Sequence, residues 1–212
     1  MPTVEFWFDF ASTYSRLAAA RIETAAAAAG VAVIWRPFLL GPIFAAQGWT
    51  TSPFVTQPAK GGAMWRDVER QCAALGLPFV RIEGFPRNGL LAARLALVAD
   101  ESGAVAPFAR AVFEAEFGAG RDIADRTVLA DLLADVGLDP EACFARAASP
   151  EIKARLRAAG DEAGTCGLFG APSFVTADGE MFWGADRLDQ ALDWAVHGRL
   201  CRRTVAPTGE TP

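Results

Sequence analysis

The sequence predicts an α/β protein in which a β-α-β half and a β-β-α half are separated by an inserted all-helical segment. Three observations carry that expectation. Between Val4 and Trp35 an alternating apolar run, an alanine-rich stretch and a β-branched run follow one another; residues 63 to about 163 place apolar side chains at helical spacing; and after Gly164 the pattern returns to short strands joined by Asp178-Gly179.

Val4, Phe6 and Phe8 alternate with Glu5 and Trp7, so both faces of the first strand carry apolar side chains, as suits a sheet covered on both sides. One helix is expected to follow, running to about Ala29 and stopping at Gly30. Val31-Ala32-Val33-Ile34-Trp35 then makes a second strand, closed by Pro37. A right-handed crossover makes the two strands parallel. From Gly41 to Gly62 neither period is present, and Pro42, Gly48, Pro53, Pro58, Gly61 and Gly62 punctuate the stretch, which predicts a long loop. Its Ile43, Phe44, Trp49 and Phe54 predict that this loop is ordered and lies over something. Helices are expected around Met64 to Leu75, Leu91 to Val98, Pro107 to Phe113 and Val128 to Val136. Asp139-Pro140 and Ser149-Pro150 pair an N-cap with a first-turn proline and open two more. Ser173-Phe174-Val175-Thr176, the Asp178-Gly179 turn and Glu180-Met181-Phe182-Trp183 make a β-hairpin, and Asp186 is placed to cap a closing helix through Ala195. This order is the thioredoxin plan with a helical domain between its halves. It assigns residues 1–42 and 164–203 to a thioredoxin-like domain, 43–163 to the inserted helical domain with its ordered first loop, and 204–212 to a tail.

At 212 residues, 52% of them hydrophobic and including 15 Phe and 6 Trp, the chain can bury a substantial core. No stretch reaches the roughly 18 apolar residues of a membrane span, and Pro2-Thr3-Val4-Glu5 does not open a secretory signal. A soluble, cytoplasmic protein is expected, without a membrane partner. Net charge −5 and a pI of about 5.0, with dispersed arginines, argue against a nucleic-acid partner. Cys72, Cys143, Cys166 and Cys201 are far apart and form no zinc-type or Cys-x-x-Cys spacing, so they read as reduced thiols. The single histidine, His197, stands near the end of the last helix, where it complements the helix dipole. No metal site is expected.

The candidate active site is the strand-to-helix junction Phe8-Asp9-Phe10-Ala11-Ser12-Thr13-Tyr14-Ser15. A helix N-terminus directs unpaired N–H groups and positive potential forward, which suits Ser12 and its neighbours to an anion. Capping the helix is the structural use of the same serine. Thioredoxin-like proteins place a Cys-x-x-Cys pair at this junction; here the two positions are Ser12 and Ser15. A disulfide oxidoreductase is therefore disfavoured, and a bound thiol has to supply the nucleophile.

Four segments together resemble the 2-hydroxychromene-2-carboxylate isomerases and kappa-class glutathione transferases. They are Phe8 to Ser15, Pro58-Ala59-Lys60-Gly61 ahead of Met64-Trp65-Arg66-Asp67, Phe169-Gly170-Ala171-Pro172-Ser173-Phe174, and Phe182-Trp183-Gly184-Ala185-Asp186-Arg187-Leu188. The resemblance runs to about Arg203, with departures at Thr13, Arg16 and Ala63. It implies a bound glutathione whose sulfur faces Ser12, a cis peptide at Ala171-Pro172 that offers the backbone of Ala171 to the ligand, and a γ-glutamyl site at Asp186 with Ala185 and Arg187. A homodimer is expected. Ser12 would be a donor that stabilises the glutathione thiolate, so no histidine base is needed.

Outside that core, Lys60 is expected over the cleft as an anion contact. Arg36 and Asn88 are candidates to orient an acidic aromatic substrate, and Trp183, with Trp7 and Trp49, is a candidate wall. The favoured activity is a glutathione-dependent isomerase acting on a small conjugated aromatic electrophile. A kappa-like glutathione transferase or peroxidase and a non-catalytic thiol- or peptide-binding module are the alternatives.

Overall fold

The computed structural model describes residues 1–200. Cys201, the limit of the thioredoxin-like half at 203 and the tail from 204 lie outside the described residues.

β1 (Thr3–Phe8) and β2 (Ala32–Pro37) pair in parallel, with Phe6 opposite Trp35 and Trp7 opposite Arg36. β3 (Ser173–Thr176) lies antiparallel on the other side of β1, and β4 (Met181–Trp183) forms the edge, giving the order β2-β1-β3-β4. The alternation in β1 explains its central place. Val4, Phe6 and Phe8 enter the main core, where Phe6 meets Trp35 edge-on at 4.9 Å and stacks on Phe174 at 5.6 Å. Trp7 faces the other way into a smaller cluster with Phe38, Leu168 and Val175.

The helix between the strands is two pieces, α1 (Thr13–Ala19) and α2 (Ile22–Ala29), broken at Ala20-Arg21. Arg21 N–H bonds the Ala18 carbonyl instead of continuing the i−4 ladder. No proline or glycine marks this break, so the alanine-rich sequence read as continuous. Gly30 ends α2 at φ +67°, as expected.

The stretch Gly41–Gly62 is not a loop. It holds α3 (Leu40–Ala46), α4 (Pro53–Thr56) and the first turn of α5 (Pro58–Leu75). Pro53 and Pro58 sit at first-turn positions, and Ser52 Oγ accepts from Phe54 N–H at 3.3 Å, so residues that read as breakers are helix openings. Nor is 63–163 helical throughout: residues 76–89 carry no helix and hold a second cis peptide, Phe85-Pro86.

The remaining helices are α6 (Leu90–Asp100), α7 (Val105–Phe113), α8 (Arg126–Asp135), α9 (Pro140–Ala147) and α10 (Pro150–Thr165). A π-helical turn, Glu114–Gly118, follows α7. Asp139 accepts from Glu141 N–H at 3.0 Å and Ser149 from Ile152 N–H at 3.3 Å, the two caps read from sequence. The hairpin closes at Gly179, φ +87°. Asp186 does not cap the closing helix: a 3-10 turn, Ala185–Arg187, precedes α11 (Leu188–His197), and Asp186 falls inside that turn, its carboxylate beside Arg187 at 3.4 Å. His197 stands in the last turn of α11. Among the described residues no helix is long and apolar enough to cross a membrane.

Candidate active site

A cavity of about 850 Å³ opens where the β1–α1 junction, α3 to α5, the segment before β3 and the turn before α11 converge. It gathers Ser12, Lys60, Ala171, Trp183, Ala185, Asp186 and Arg187, which is seven of the ten sequence-derived site candidates, while Pro172 is buried and does not line it. Arg36 and Asn88 are not among the lining residues. Arg36 lies 4.7 Å from the Trp7 ring and pairs with Glu5 at 3.5 Å and with Glu162. Its register opposite Trp7 puts it on the face that α10 approaches. Asn88 is exposed, and its Oδ1 accepts from Leu90 N–H at 3.0 Å to start α6.

Ser12 is the N-cap of α1 and 8% exposed. Its Oγ accepts from Ser15 N–H at 3.1 Å and donates to the Ala171 carbonyl at 2.9 Å, across the cis Ala171-Pro172 peptide. Capping and site membership thus coexist in one hydroxyl. Ser15 is fully buried, its Oγ has no partner, and it is not among the lining residues, so only the first of the two serines faces the cavity.

Asp9 underpins this junction. Its buried carboxylate accepts from Ala11 N–H at 2.9 Å and from Leu40 N–H at 2.7 Å, tying the turn before Ser12 to the start of α3. Burial pushes its pKa up while those two N–H groups pull it back. Glu116, in the π-helical turn, is fully buried with both oxygens unpartnered; burial holds its carboxyl well above the usual range, opposed by Arg87 and reinforced by Asp9 and Asp122. Of the departures from the family pattern, Thr13 and Arg16 serve packing and Ala63 is exposed. Thr13 Oγ1 donates to Met64 Sδ at 3.3 Å, and buried Arg16 pairs with Glu114 at 2.9 Å and reaches the Pro78 carbonyl.

Lys60 belongs to the first turn of α5 rather than to a loop, with its Nζ 5.8 Å from the Phe54 ring centroid. Trp183 packs on Phe169 at 4.7 Å, and a Cβ at Gly170 would run into its indole, so glycine there is what lets this wall form. Sequence reasoning missed Tyr14, Asp67 and Gln71, which also line the cavity. Tyr14 stands two residues after Ser12 in the first turn of α1, a place that signals a cavity side chain once the junction is suspected. Among the described residues no three His, Cys, Asp or Glu side chains gather to hold a metal.

Residues 3–194 match the family model of the DSBA-like thioredoxin domain. A 2-hydroxychromene-2-carboxylate isomerase from Sphingobium xenophagum is 32% identical over 188 residues, covering 88% of this chain and 94% of that protein. A solved 2-hydroxychromene-2-carboxylate isomerase superimposes with a TM-score of 0.80 at 24% identity, over 89% of this chain and 91% of that one. A probable DsbA oxidoreductase from Streptomyces coelicolor gives 0.72 at 26% identity, over 100% of both chains. The chain belongs to the DSBA-like thioredoxin-domain family and, within it, to the 2-hydroxychromene-2-carboxylate isomerase family.

Proposed function

We propose that the protein is a glutathione-dependent isomerase of the 2-hydroxychromene-2-carboxylate type. The donor set of the cavity suits glutathione, which carries two carboxylates, one ammonium and a peptide backbone. Arg187 is a cation on its wall beside the exposed Asp186, the start of α1 faces it with positive potential, and Ala171 offers a backbone edge beside Ser12. Bound there, glutathione would supply a thiolate able to add reversibly to a conjugated aromatic substrate and leave again after bond rotation.

The chain's part in that chemistry is electrostatic. A free thiol titrates near 8.5, so ionising it at neutral pH requires about 2 kcal/mol or more. A hydroxyl donated to an anion contributes about 1.5–3 kcal/mol and a helix N-terminus about 0.3–1, while releasing the Ser12–Ala171 bond costs about 0.5–1.5. The net, about 2 kcal/mol, would lower the pKa of the bound thiol to about 7 without a base. Lys60 holds the carboxylate of the aromatic substrate, while Phe44, Trp49, Phe169 and Trp183 give it an apolar wall.

The observation that carries this reading is the placement of the Ser12 hydroxyl on the Ala171 carbonyl, at the cavity, with the Ser15 position sealed below. Adding glutathione to the purified protein should produce an absorbance near 240 nm whose pH midpoint lies below that of free glutathione, and Ser12→Ala should raise that midpoint by about one pKa unit. Isomerisation with glutathione recovered unchanged supports the reading. Consumption of glutathione into a conjugate would make the protein a transferase, and no turnover in either assay would leave a binding module.

A further inference from the structure

Tyr14, Asp67 and Gln71 line the same cavity as Ser12 and have no part in the chemistry above. Tyr14 Oη donates to Asp67 Oδ2 at 2.9 Å, and Gln71 Nε2 donates to the same oxygen at 2.7 Å. Arg70 lies 3.5 Å from the other oxygen of Asp67. A carboxylate can only accept, so the phenol spends its proton on Asp67 and keeps lone pairs that only a donor can satisfy. Burial first, then the hydrogen bond and charge of Asp67, with a further push from Asp186, hold the phenol well above its ordinary titration range. Tyr14 therefore stays neutral, and donation to an anion makes its oxygen a stronger acceptor.

Phe54 links this acceptor to a cation. The Tyr14 ring lies 6.3 Å from the Phe54 ring, and Lys60 Nζ lies 5.8 Å from that same ring. An aromatic molecule laid against Phe54 therefore has an anion receptor and a hydrogen-bond acceptor within reach at once. A tie between α1 and α5 accounts for the Tyr14–Asp67 bond, but not for the standing of all three side chains on the cavity wall.

We propose that Tyr14 Oη is the acceptor for the hydroxyl of a hydroxylated aromatic acid bound in this cavity, a specificity-determining role, with Asp67 and Gln71 as positioning residues that keep the phenol an acceptor. This rests on the reading of the cavity as an aromatic-acid isomerase site, and it names the side chain that recognises the hydroxyl.

The test is equilibrium binding of 2-hydroxycinnamate and of cinnamate to the full chain, read by quenching of tryptophan fluorescence, since Trp49 and Trp183 line the cavity. One added hydrogen bond gives wild-type protein a preference of about 5- to 10-fold for the hydroxylated acid. Tyr14→Phe should bind the two acids alike, with glutathione affinity by calorimetry unchanged. Asp67→Asn keeps an amide oxygen for Tyr14 but removes the charge, and should retain only about a 2- to 3-fold preference. Lys60→Ala should weaken both acids equally and leave the ratio intact.

Wild-type protein that binds both acids equally, or binds neither, overturns the proposal. So does Tyr14→Phe that keeps the preference, weakens both acids alike, or loses glutathione instead. If circular dichroism shows that Tyr14→Phe does not fold, Asp67→Asn decides, and an unchanged preference there overturns the assignment. No turnover is measured, so failure of the isomerase reading and failure of this preference are separately visible.

Discussion

The two sides of the cavity are built in contrasting ways. The Ser12 side rests on the sheet: Phe6, Phe8 and Phe10 beneath the junction are fully or almost fully buried, and Asp9 locks the turn through two backbone N–H groups. The side made by α3 and α4 contains no buried residue within either helix, and Trp49 between them is 42% exposed. Fixed geometry is where a thiolate has to be stabilised, because a donor misplaced by a fraction of an ångström loses its effect. Loosely packed aromatic helices are where different ring systems can be accommodated at small cost. On the proposed function, this contrast would put the thiolate on the thioredoxin-like half and the fit of the ring system on the insertion, with Tyr14 of α1 reading the hydroxyl across the seam.

The largest effect should come from breaking the contrast in stability. Phe6 meets Phe8, Trp35 and Phe174 within the core, so Phe6→Ala should cost about 3–5 kcal/mol. Trp49→Ala, on the exposed side, should cost less than about 1 kcal/mol. Urea denaturation of the two variants measures both, and equal losses would show that α3 and α4 belong to the same cooperative core.

The next effect is in pH dependence and concerns Glu116, below the Ser12 side. Its folded pKa is raised, so the neutral form is the one the fold favours. That contribution is fully present below the unfolded value of about 4.3 and is lost as pH rises toward the folded value, at up to about 1.4 kcal/mol per pH unit. Glu116→Gln should therefore be more stable than wild type at neutral pH, with the advantage shrinking toward pH 4. Thermal unfolding across that range checks the sign. A wild-type curve parallel to that of Glu116→Gln would mean that Glu116 is ionised and compensated in the fold.

What the sequence made legible divides along the same line. Strand alternation around Phe6, the Asp178-Gly179 turn and the Asp139 and Ser149 caps are local patterns, and they were read correctly because few alternatives satisfy them. Ser12 was legible at its strand-to-helix junction, but its partnership with Ala171-Pro172 only through resemblance, since nothing local brings residues 159 apart into a 2.9 Å bond. The α3 and α4 helices were not legible because proline serves equally as a breaker and as a first-turn residue, and only the three-dimensional partner decides. Arg36 was misassigned although strand alternation placed it opposite Trp7, away from Trp35. Tyr14, the single tyrosine of the chain, escaped as a site residue together with Asp67 because their pairing spans 53 residues and nothing local brings the two together.

Asp186 sharpens the comparison within the Ser12 side. Because it is free of capping but sits in solvent with Arg187 beside it, a ligand ammonium paired with it would be wet rather than desolvated. Asp186→Asn should weaken glutathione by about 1 kcal/mol, roughly 5-fold in the dissociation constant. Calorimetry that gives a loss of 100-fold or more would mean that the ligand closes this corner to water, whereas no loss would remove Asp186 from the site.

The smallest effect is expected at Lys60, and it tests the division of labour most directly. Lys60 is exposed in the first turn of α5, so an ion pair formed there is screened and is worth about 0.5–1 kcal/mol. Lys60→Ala should raise the Michaelis constant for an anionic aromatic substrate about 2- to 5-fold, leave that for glutathione nearly unchanged, and leave kcat alone, since uniform binding is lost without touching the reacting sulfur. The effect should shrink between low and high salt, which a loss of packing would not do. A rise in the constant for glutathione instead would move Lys60 to the glutathione site. The insertion would then hold part of the cofactor as well as the substrate, and its looseness would have to be reconciled with the precision that a thiolate requires.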